Sequence, residues 1–532
     1  MADRKTEKEY EGLSPFELKN KLIAMAQSDS ERMMLNAGRG NPNWLADEPR
    51  HAFHQLGVFA LSEAKRALDK PGLAGSPAKD GVAERFDAFV KQHESVRGVT
   101  FLRDAFALAR DDLGLNHEDL VFEMVDAILG DHYPVPDRML SCSERIVQAY
   151  LALEMCGGTP PPGTIDLFAT EGGTAAMAYI FHSLMENKLL RKGDKIAIGT
   201  PIFTPYLEIP LLNDYEFVEL LAQQDENEHW QYPDSEIEKL ADPDVKAFFL
   251  VHPSNPTSVA MHPETLEKIA DLINNKREDL ILLTDDVYGT FVNGFTSLIK
   301  SCPRNTILVY SYSKYFGATG WRLGVIGIHE DNVFDKKIAA LPEVDRAALR
   351  QRYHTVVVDP DKMKLIDRMV ADSRAVALNH TAGLSTPQQV QMVLFSLLGL
   401  LDDKRGSAYK KVTQGVVHYR FNTLLKAAGI PSPEDAYSAC YYYDIDVPKI
   451  ARQRYGDKFA DWLVDQHEPI DFVWRLAEEK SIVLMDGGGF DAPKMSVRVS
   501  LANLPDGAYE TIGKTVSELL AEYHQLWTTK AG

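Results

Sequence analysis

Cysteine is scarce in this chain: Cys142, Cys156, Cys302 and Cys440 are the only four in 532 residues, and none forms a CxxC pair. That spacing excludes a disulfide scaffold and a cysteine-based zinc framework, and it predicts reduced thiols in a cytoplasmic protein. No metal site is expected. Long apolar runs are missing too; the longest, VLFSLLGLL around residue 397, is too short to span a bilayer. The opening MADRKTEKEYEG is charged and lacks the apolar segment of a signal peptide, so a soluble, cytoplasmic location is expected. Positive charge is in deficit, with 57 Lys and Arg against 77 Asp and Glu and a formal net charge of −20. Nucleic acid and anionic membranes need a basic face, so neither is expected as a partner. An anionic small molecule would require arginines concentrated at one local site. Two common phosphate-binding fingerprints, GxxxxGK[ST] and GxGxxG, are absent as well.

What the chain does contain is an ordinary globular composition, 45% hydrophobic and 25% charged, over a length that exceeds one typical core. Residues 12–130 read mostly as helices. From about residue 164 short β-branched runs recur, TIDLFAT, DKIAIGT, VKAFFLVH, DLILLTDD and NTILVYS, separated by helical segments such as PETLEKIADLINNK. That alternation predicts an α/β fold with a largely parallel sheet covered on both faces. After about residue 400 long amphipathic helices lead to a final strand, KMSVRVSLANL, read as a smaller α+β domain that borrows the N-terminal segment. The expected division is 1-115 as N-terminal arm and part of the small domain, 116-390 as large domain, and 391-532 as C-terminal small domain.

Each of the five runs ends in a small or polar cluster: EGGTAAM, PIFTPY, PSNPTS, DDVYGTF and SYSKYFGATG. Ligands of open α/β sheets bind beyond the carboxyl ends of the strands, so five such endings predict one composite site. Lys314 sits in the last of them, where a lysine is odd. It is either a surface lysine in a glycine turn or a nucleophile that forms a Schiff base with an aldehyde cofactor. A pyridoxal phosphate site needs that lysine, a carboxylate for the ring nitrogen, a phosphate cup, a stacking aromatic and an arginine for the substrate carboxylate. Gly172 and Gly173 would let the backbone approach a phosphate, and Thr174 adds a hydroxyl at a helix start. Asp285 could hold the ring nitrogen or simply cap a helix. Phe203 could stack on the ring or belong to the core, and Asn255 could bond the ring oxygen or shape a turn. Arg498, inside a strand, would be costly unless paired, and a carboxylate is its natural bidentate partner.

Taken in order, the motifs GNPNW, EGGTAAM, PIF, SNPTS, DDVY, SYSKYFGATGWRLG, and DGGGF followed by VRVSLAN resemble the fold-type-I pyridoxal phosphate enzymes of the aspartate aminotransferase superfamily. The resemblance spans nearly the whole chain, and SxSKxxGxxGxRxG is its most specific part. It implies Lys314 as the cofactor-binding lysine and proton shuttle, and Asp285 at the ring nitrogen. It further implies Tyr288 and Asn255 at the ring oxygen, Phe203 on the ring, and Gly172, Gly173, Thr174, Ser311, Ser313 and Arg322 around the phosphate. Arg498, with Gly40 and Asn255 beside it, would hold the substrate, and Tyr133 would reach the phosphate of a neighbouring subunit. Extra length around residues 334–369 and 451–476, and Arg39 in NAGRGNPNW, narrow the likeness to the bacterial L-aspartate 4-decarboxylases. That likeness implies loss of the β-carboxyl of L-aspartate to give alanine and carbon dioxide, minor transamination, and a homo-oligomer, a dodecamer built from dimers. An aspartate or aromatic aminotransferase shares the same motifs and stays the alternative. A cofactor-binding regulator would carry a DNA-binding module, which neither the acidic balance nor the N-terminal segment offers. Arg39 is read either as a loose contact for the distal carboxylate or as a surface arginine before a turn.

Overall fold

The computed structural model describes residues 4–27, 33–212, 218–223, 229–374, 383–433 and 435–531. All five apolar runs become strands of one sheet: Ile165–Thr170, Lys195–Thr200, Val245–Val251, Ile281–Asp285 and Thr306–Ser311. They are buried almost end to end, as strands covered on both faces must be. Val218–Gln223 and Gly324–His329 complete a seven-stranded sheet. Its order is Ile165–Thr170, Gly324–His329, Thr306–Ser311, Ile281–Asp285, Val245–Val251, Lys195–Thr200, Val218–Gln223. Gly324–His329 runs against both neighbours. The other pairings are parallel. The fold is α/β with a mainly parallel seven-stranded sheet flanked by helices, as the alternation predicts.

Parallel strands need crossovers, and the helices Gly173–Glu186 and Pro263–Lys276 supply two of them. Pro263 begins its helix where a missing N–H costs nothing. Because the strands run parallel, their carboxyl ends gather along one edge, and the five polar endings gather with them.

Helices Glu48–Ala67, Val82–Gln92, Val99–Asp111 and His117–Leu129 pack with Thr386–Lys404 around a separate apolar core. Phe86 and Phe106 stack within it, with ring centroids 4.8 Å apart. The last part of the chain builds a three-stranded antiparallel sheet, Met485–Asp486, Ser496–Ser500, Tyr442–Asp446, beside the paired helices Ala408–Ala428 and Asp506–Ala531, where Phe421 meets Tyr443 with ring centroids 5.4 Å apart. The N-terminal segment joins it. Leu35–Asn36 pairs in parallel with Ile482–Val483, and the helix Pro15–Ala26, opened by a Ser14–Glu17 capping box, lies on Asp471–Lys480. This docking carries Lys19 and the Gly38–Gly40 turn to the edge of the large sheet.

All four cysteines are buried and unpaired. Burial pushes the Cys142, Cys156 and Cys302 thiols up to about 12, so they stay protonated. Among the described residues no helix is long and apolar enough to cross a membrane.

Candidate active site

A cavity of ≈ 380 Å³ lies where the strand ends of the large sheet meet the small domain, and all five polar endings line it. Thirteen of the residues singled out in the sequence meet there: Gly173 and Thr174; Phe203 and Asn255; Asp285 and Tyr288; Ser311, Ser313, Lys314 and Arg322; Arg39, Gly40 and Arg498. Gly172 and Tyr133 do not line it. Gly172 lies one step behind, at φ +94°, in a conformation that L side chains rarely adopt. A Cβ there would run into the Arg322 guanidinium, so this glycine holds space for that arginine. Tyr133 lies on the surface, 63% exposed.

The amine of Lys314 donates to the carbonyl of Gly40 at 3.0 Å, and the Tyr441 hydroxyl donates to the same oxygen at 2.9 Å. Gly40 must be glycine on this account. A Cβ would strike the Tyr442 hydroxyl and lie 3.3 Å from Lys314 Nζ. Tyr442 is buried and accepts from the Tyr288 hydroxyl at 3.1 Å, so it cannot swing aside freely. Gly40→Ala should therefore lower turnover by roughly tenfold or more through misplacement of the lysine, and the forced shift of Tyr442 should cost about 1–3 kcal/mol of stability. Steady-state kinetics paired with thermal unfolding checks this.

Asp285 ends its strand almost wholly buried. Its carboxylate accepts from the Val287 amide at 3.2 Å and from the Tyr206 hydroxyl. Burial pushes it up to about 6, against the opposing pull of the Tyr206 hydroxyl, the Val287 amide and Lys314. Tyr206 was not found from the sequence; its only signal was its place in PIFTPY. Tyr206→Phe removes a donor that favours the charged form, so the Asp285 carboxyl should rise further. The acid limb of the kcat/KM profile should then move to higher pH by about one unit.

Arg498 is buried within the small-domain sheet. It donates to Asn255 Oδ1 at 3.0 Å, to the Gly38 carbonyl at 2.9 Å and to Met485 Sδ at 2.9 Å. Tyr442 and Phe490 present their rings to it at 4.3 and 4.6 Å. Its Nε has no hydrogen-bond partner among the described residues, an uncommon state for a buried donor and one that suits an incoming anion. At the opposite end, Ser311 Oγ donates to Ser313 Oγ at 3.0 Å, Thr174 is exposed at the start of its helix, and the Arg322 guanidinium donates to the Thr319 carbonyl at 3.0 Å. Hydroxyls, a helix N-terminus and an arginine together make an anion cradle. The donor set thus fits a phosphorylated aromatic aldehyde, with a cradle at one end, a buried carboxyl and an amine between, and Phe203 in the wall.

Lys19 and Tyr442 also line the cavity and escaped the sequence analysis. Burial first, then the charges of Arg39 and Arg498, hold the Lys19 amine below its ordinary value. Three cations, Lys19, Arg39 and the buried Arg498, therefore line one cavity of a strongly acidic protein, which concentrates positive potential there.

The sheet, its strand-end cavity and the lysine–aspartate–arginine set define an enzyme of the fold-type-I class. The chain belongs to the aminotransferase class I and II family, whose model matches residues 168–514. A bifunctional aspartate aminotransferase and L-aspartate beta-decarboxylase of Pseudomonas sp is 51% identical over 515 residues, covering 96% of this chain and 97% of that protein. Among solved structures, an aromatic aminotransferase from Pyrococcus horikoshii aligns with TM-score 0.57 at 18% identity, covering 94% of this chain and 99% of that one. An aspartate aminotransferase from Thermus thermophilus with maleate aligns with TM-score 0.54 at 17% identity, covering 94% and 96%. Those two likenesses show the fold.

Proposed function

We propose that this chain is a pyridoxal phosphate enzyme that converts L-aspartate to L-alanine and carbon dioxide, with transamination of aspartate as a side reaction. The observation that carries the reading is a single cavity in which Lys314, the buried Asp285 and the cations Lys19, Arg39 and Arg498 converge. The full-length likeness to the Pseudomonas bifunctional enzyme supports the choice of aspartate and of the distal carboxyl.

Each residue then has a task. When bound, the cofactor supplies an electron sink conjugated to the substrate α-carbon. Lys314 anchors it and afterwards takes and returns the α-proton. Asp285 would hold the ring nitrogen in its protonated form, Phe203 would stack on the ring, and Tyr288 and Asn255 would bond its oxygen. Gly173, Thr174, Ser311, Ser313 and Arg322 would hold the phosphate, and Gly172 keeps room for Arg322. Arg498 grips the α-carboxylate in one orientation, so the α-carboxyl is held where it does not leave. The β-carboxylate faces the entrance, where Lys19 and Arg39 attract it. A tight clamp there would stabilise the negative charge that decarboxylation must lose, so an exposed arginine suits the site better than a buried one. Arg39 is exposed. Arg39→Ala should change the KM for aspartate by about threefold or more and shift the ratio of alanine to pyruvate formed from it, since the ketoacid leak depends on how water enters.

The proposal extends to the assembly and its setting: a cytoplasmic homo-oligomer, a dodecamer built from dimers, in which the exposed Tyr133 reaches the phosphate of a neighbouring subunit. The division into 1-115, 116-390 and 391-532 is proposed with it, the middle part binding the cofactor. The test is to give cofactor-loaded protein L-aspartate without any ketoacid and follow alanine and carbon dioxide together. Sustained release of both in equal amounts is expected. A single turnover that stops with oxaloacetate and no carbon dioxide would make this an aminotransferase.

A further inference from the structure

Arg498 is a buried cation, and its hydrogen bonds go to neutral acceptors: an amide oxygen, a backbone carbonyl and a thioether. Among the described residues it forms no ion pair. A guanidinium removed from water in this way costs several kcal/mol unless a counter-charge lies near. A carboxyl that acts on it stands on the adjacent strand. Asp444 is the residue directly opposite Arg498 in the antiparallel ladder, so both side chains stand on one face of the small sheet. Asp444 is 8% exposed and forms no ion pair among the described residues; the neighbouring Ser496 hydroxyl is the donor that pulls its carboxyl down.

Asp444 also faces the other way. It lines a second cavity, ≈ 310 Å³, that Arg498 does not line, whereas Arg498 lines the active-site cavity that Asp444 does not. The pair thus stands between two cavities, the active-site cavity on the arginine side and a second one on the aspartate side. The charged and titratable groups around Asp444 are Arg498 on the neighbouring strand, Asp486 on the strand beyond it, Asp446 on its own strand, and Asp435, Lys449 and His229 around the second cavity. Burial, then Asp446 and Asp486, push Asp444 up to about 7, with Ser496 and Arg498 pulling down.

We propose that Asp444 is the exchangeable counter-charge of Arg498: ionised while the site is empty, it takes a proton through the rear cavity when a substrate carboxylate docks on the arginine. Asp444 is thus a positioning residue that acts through Arg498 and never meets the substrate. The balance is simple: one carboxylate arrives, one carboxylate is neutralised by a proton from water, and the guanidinium keeps a single negative partner. The sign follows from linkage. Binding of an anion raises the Asp444 pKa, so protons are taken up, and affinity falls as pH rises through the value of the empty site.

The inference rests on Arg498 being the carboxylate anchor proposed above, and the experiment separates the two. Succinate, a dicarboxylate without an amino group, is titrated into the holoenzyme by calorimetry in two buffers of different ionisation enthalpy. Uptake of about 0.3–1 proton per site is expected near pH 7.5, with binding weakening roughly five- to tenfold between about pH 6 and about pH 8.5. Asp444→Asn, which keeps the shape and fixes the neutral state, should lose that part of the uptake and bind succinate with the affinity of the acid limb at every pH. Infrared difference spectra of the wild type should show a protonated carboxyl appearing on succinate binding, a readout that does not depend on the variant folding. Uptake and pH dependence unchanged in Asp444→Asn, or competition with aspartate without proton uptake or a new carboxyl band, would overturn the role of Asp444. Succinate that fails to compete with aspartate would overturn the assignment of Arg498 and this inference with it.

Discussion

Lys314→Ala is expected to lower carbon dioxide release from L-aspartate by at least ~10⁴-fold, because one side chain is asked to anchor the cofactor and to move the α-proton. The loss should lie in chemistry and not in folding. Lys314 reaches the cavity from a buried turn and makes its hydrogen bond to a backbone carbonyl, that of Gly40, which keeps the Tyr441 hydroxyl as donor. The phosphate cradle of Thr174, Ser311, Ser313 and Arg322 is untouched, so the variant should still bind pyridoxal phosphate, now without a covalent link. Borohydride treatment followed by mass measurement distinguishes the two cases: the wild type should retain the cofactor on Lys314, and the variant should release it on denaturation. Near-normal carbon dioxide release by Lys314→Ala would mean that another base works in this cavity.

Asp285→Asn should separate function from stability. Activity is expected to fall ~10²–10³-fold, the loss seen when one preorganised electrostatic partner is removed. In cofactor-free protein the stability effect has the opposite sign. Burial raises the Asp285 carboxyl from 3.8 to about 6, so the folded chain binds more protons than the unfolded chain between those values. Stability therefore falls as pH rises from about 4 to about 6 and stays reduced above it, by on the order of 3 kcal/mol for this one group. Asparagine carries no such charge and still accepts from Tyr206. The cofactor-free variant should thus melt higher than cofactor-free wild type at about pH 7.5 and lose the advantage at about pH 4. Equal melting temperatures at both pH values would show that the buried carboxyl is compensated. The group that weakens the empty protein is the one the cofactor requires, a common arrangement at functional sites.

The large domain was readable because its strands are continuous β-branched runs that end in small and polar residues, so both the sheet and the edge that carries the site followed from one pattern. The two strands that the pattern missed have physical reasons. Val218–Gln223 reads VELLAQ, whose leucines and glutamate suit a helix, and it becomes a strand by pairing with Lys195–Thr200. Gly324–His329 follows directly on the glycine-rich lysine turn and carries Gly327 where a Cβ would lie 3.1 Å from the Ile165 side chain, a packing demand that no local propensity reveals.

In the site, residues fixed to strand ends were legible and those brought by tertiary packing were not. Asp285 ends its strand, and Lys314 and Asn255 lie within four residues of the ends of theirs. Lys19 reaches the cavity because its helix docks on Asp471–Lys480, and Tyr442 because an unrecognised strand pairs with the one that holds Arg498. Asp444 belongs to that same strand. Arg498 was found from the cost of burying an arginine in a strand, and the same reasoning applied to Asp444 required knowing its cross-strand partner.

The central claim is that the distal carboxyl of aspartate leaves while the α-carboxyl is retained. The most direct measurement gives the holoenzyme L-aspartate labelled with carbon-13 at C4, without ketoacid, and follows products by NMR. The account predicts that the label appears in carbon dioxide and bicarbonate, with an equal amount of unlabelled alanine accumulating over many turnovers. Label retained in oxaloacetate, or in an amino acid formed by loss of the α-carboxyl, would contradict it.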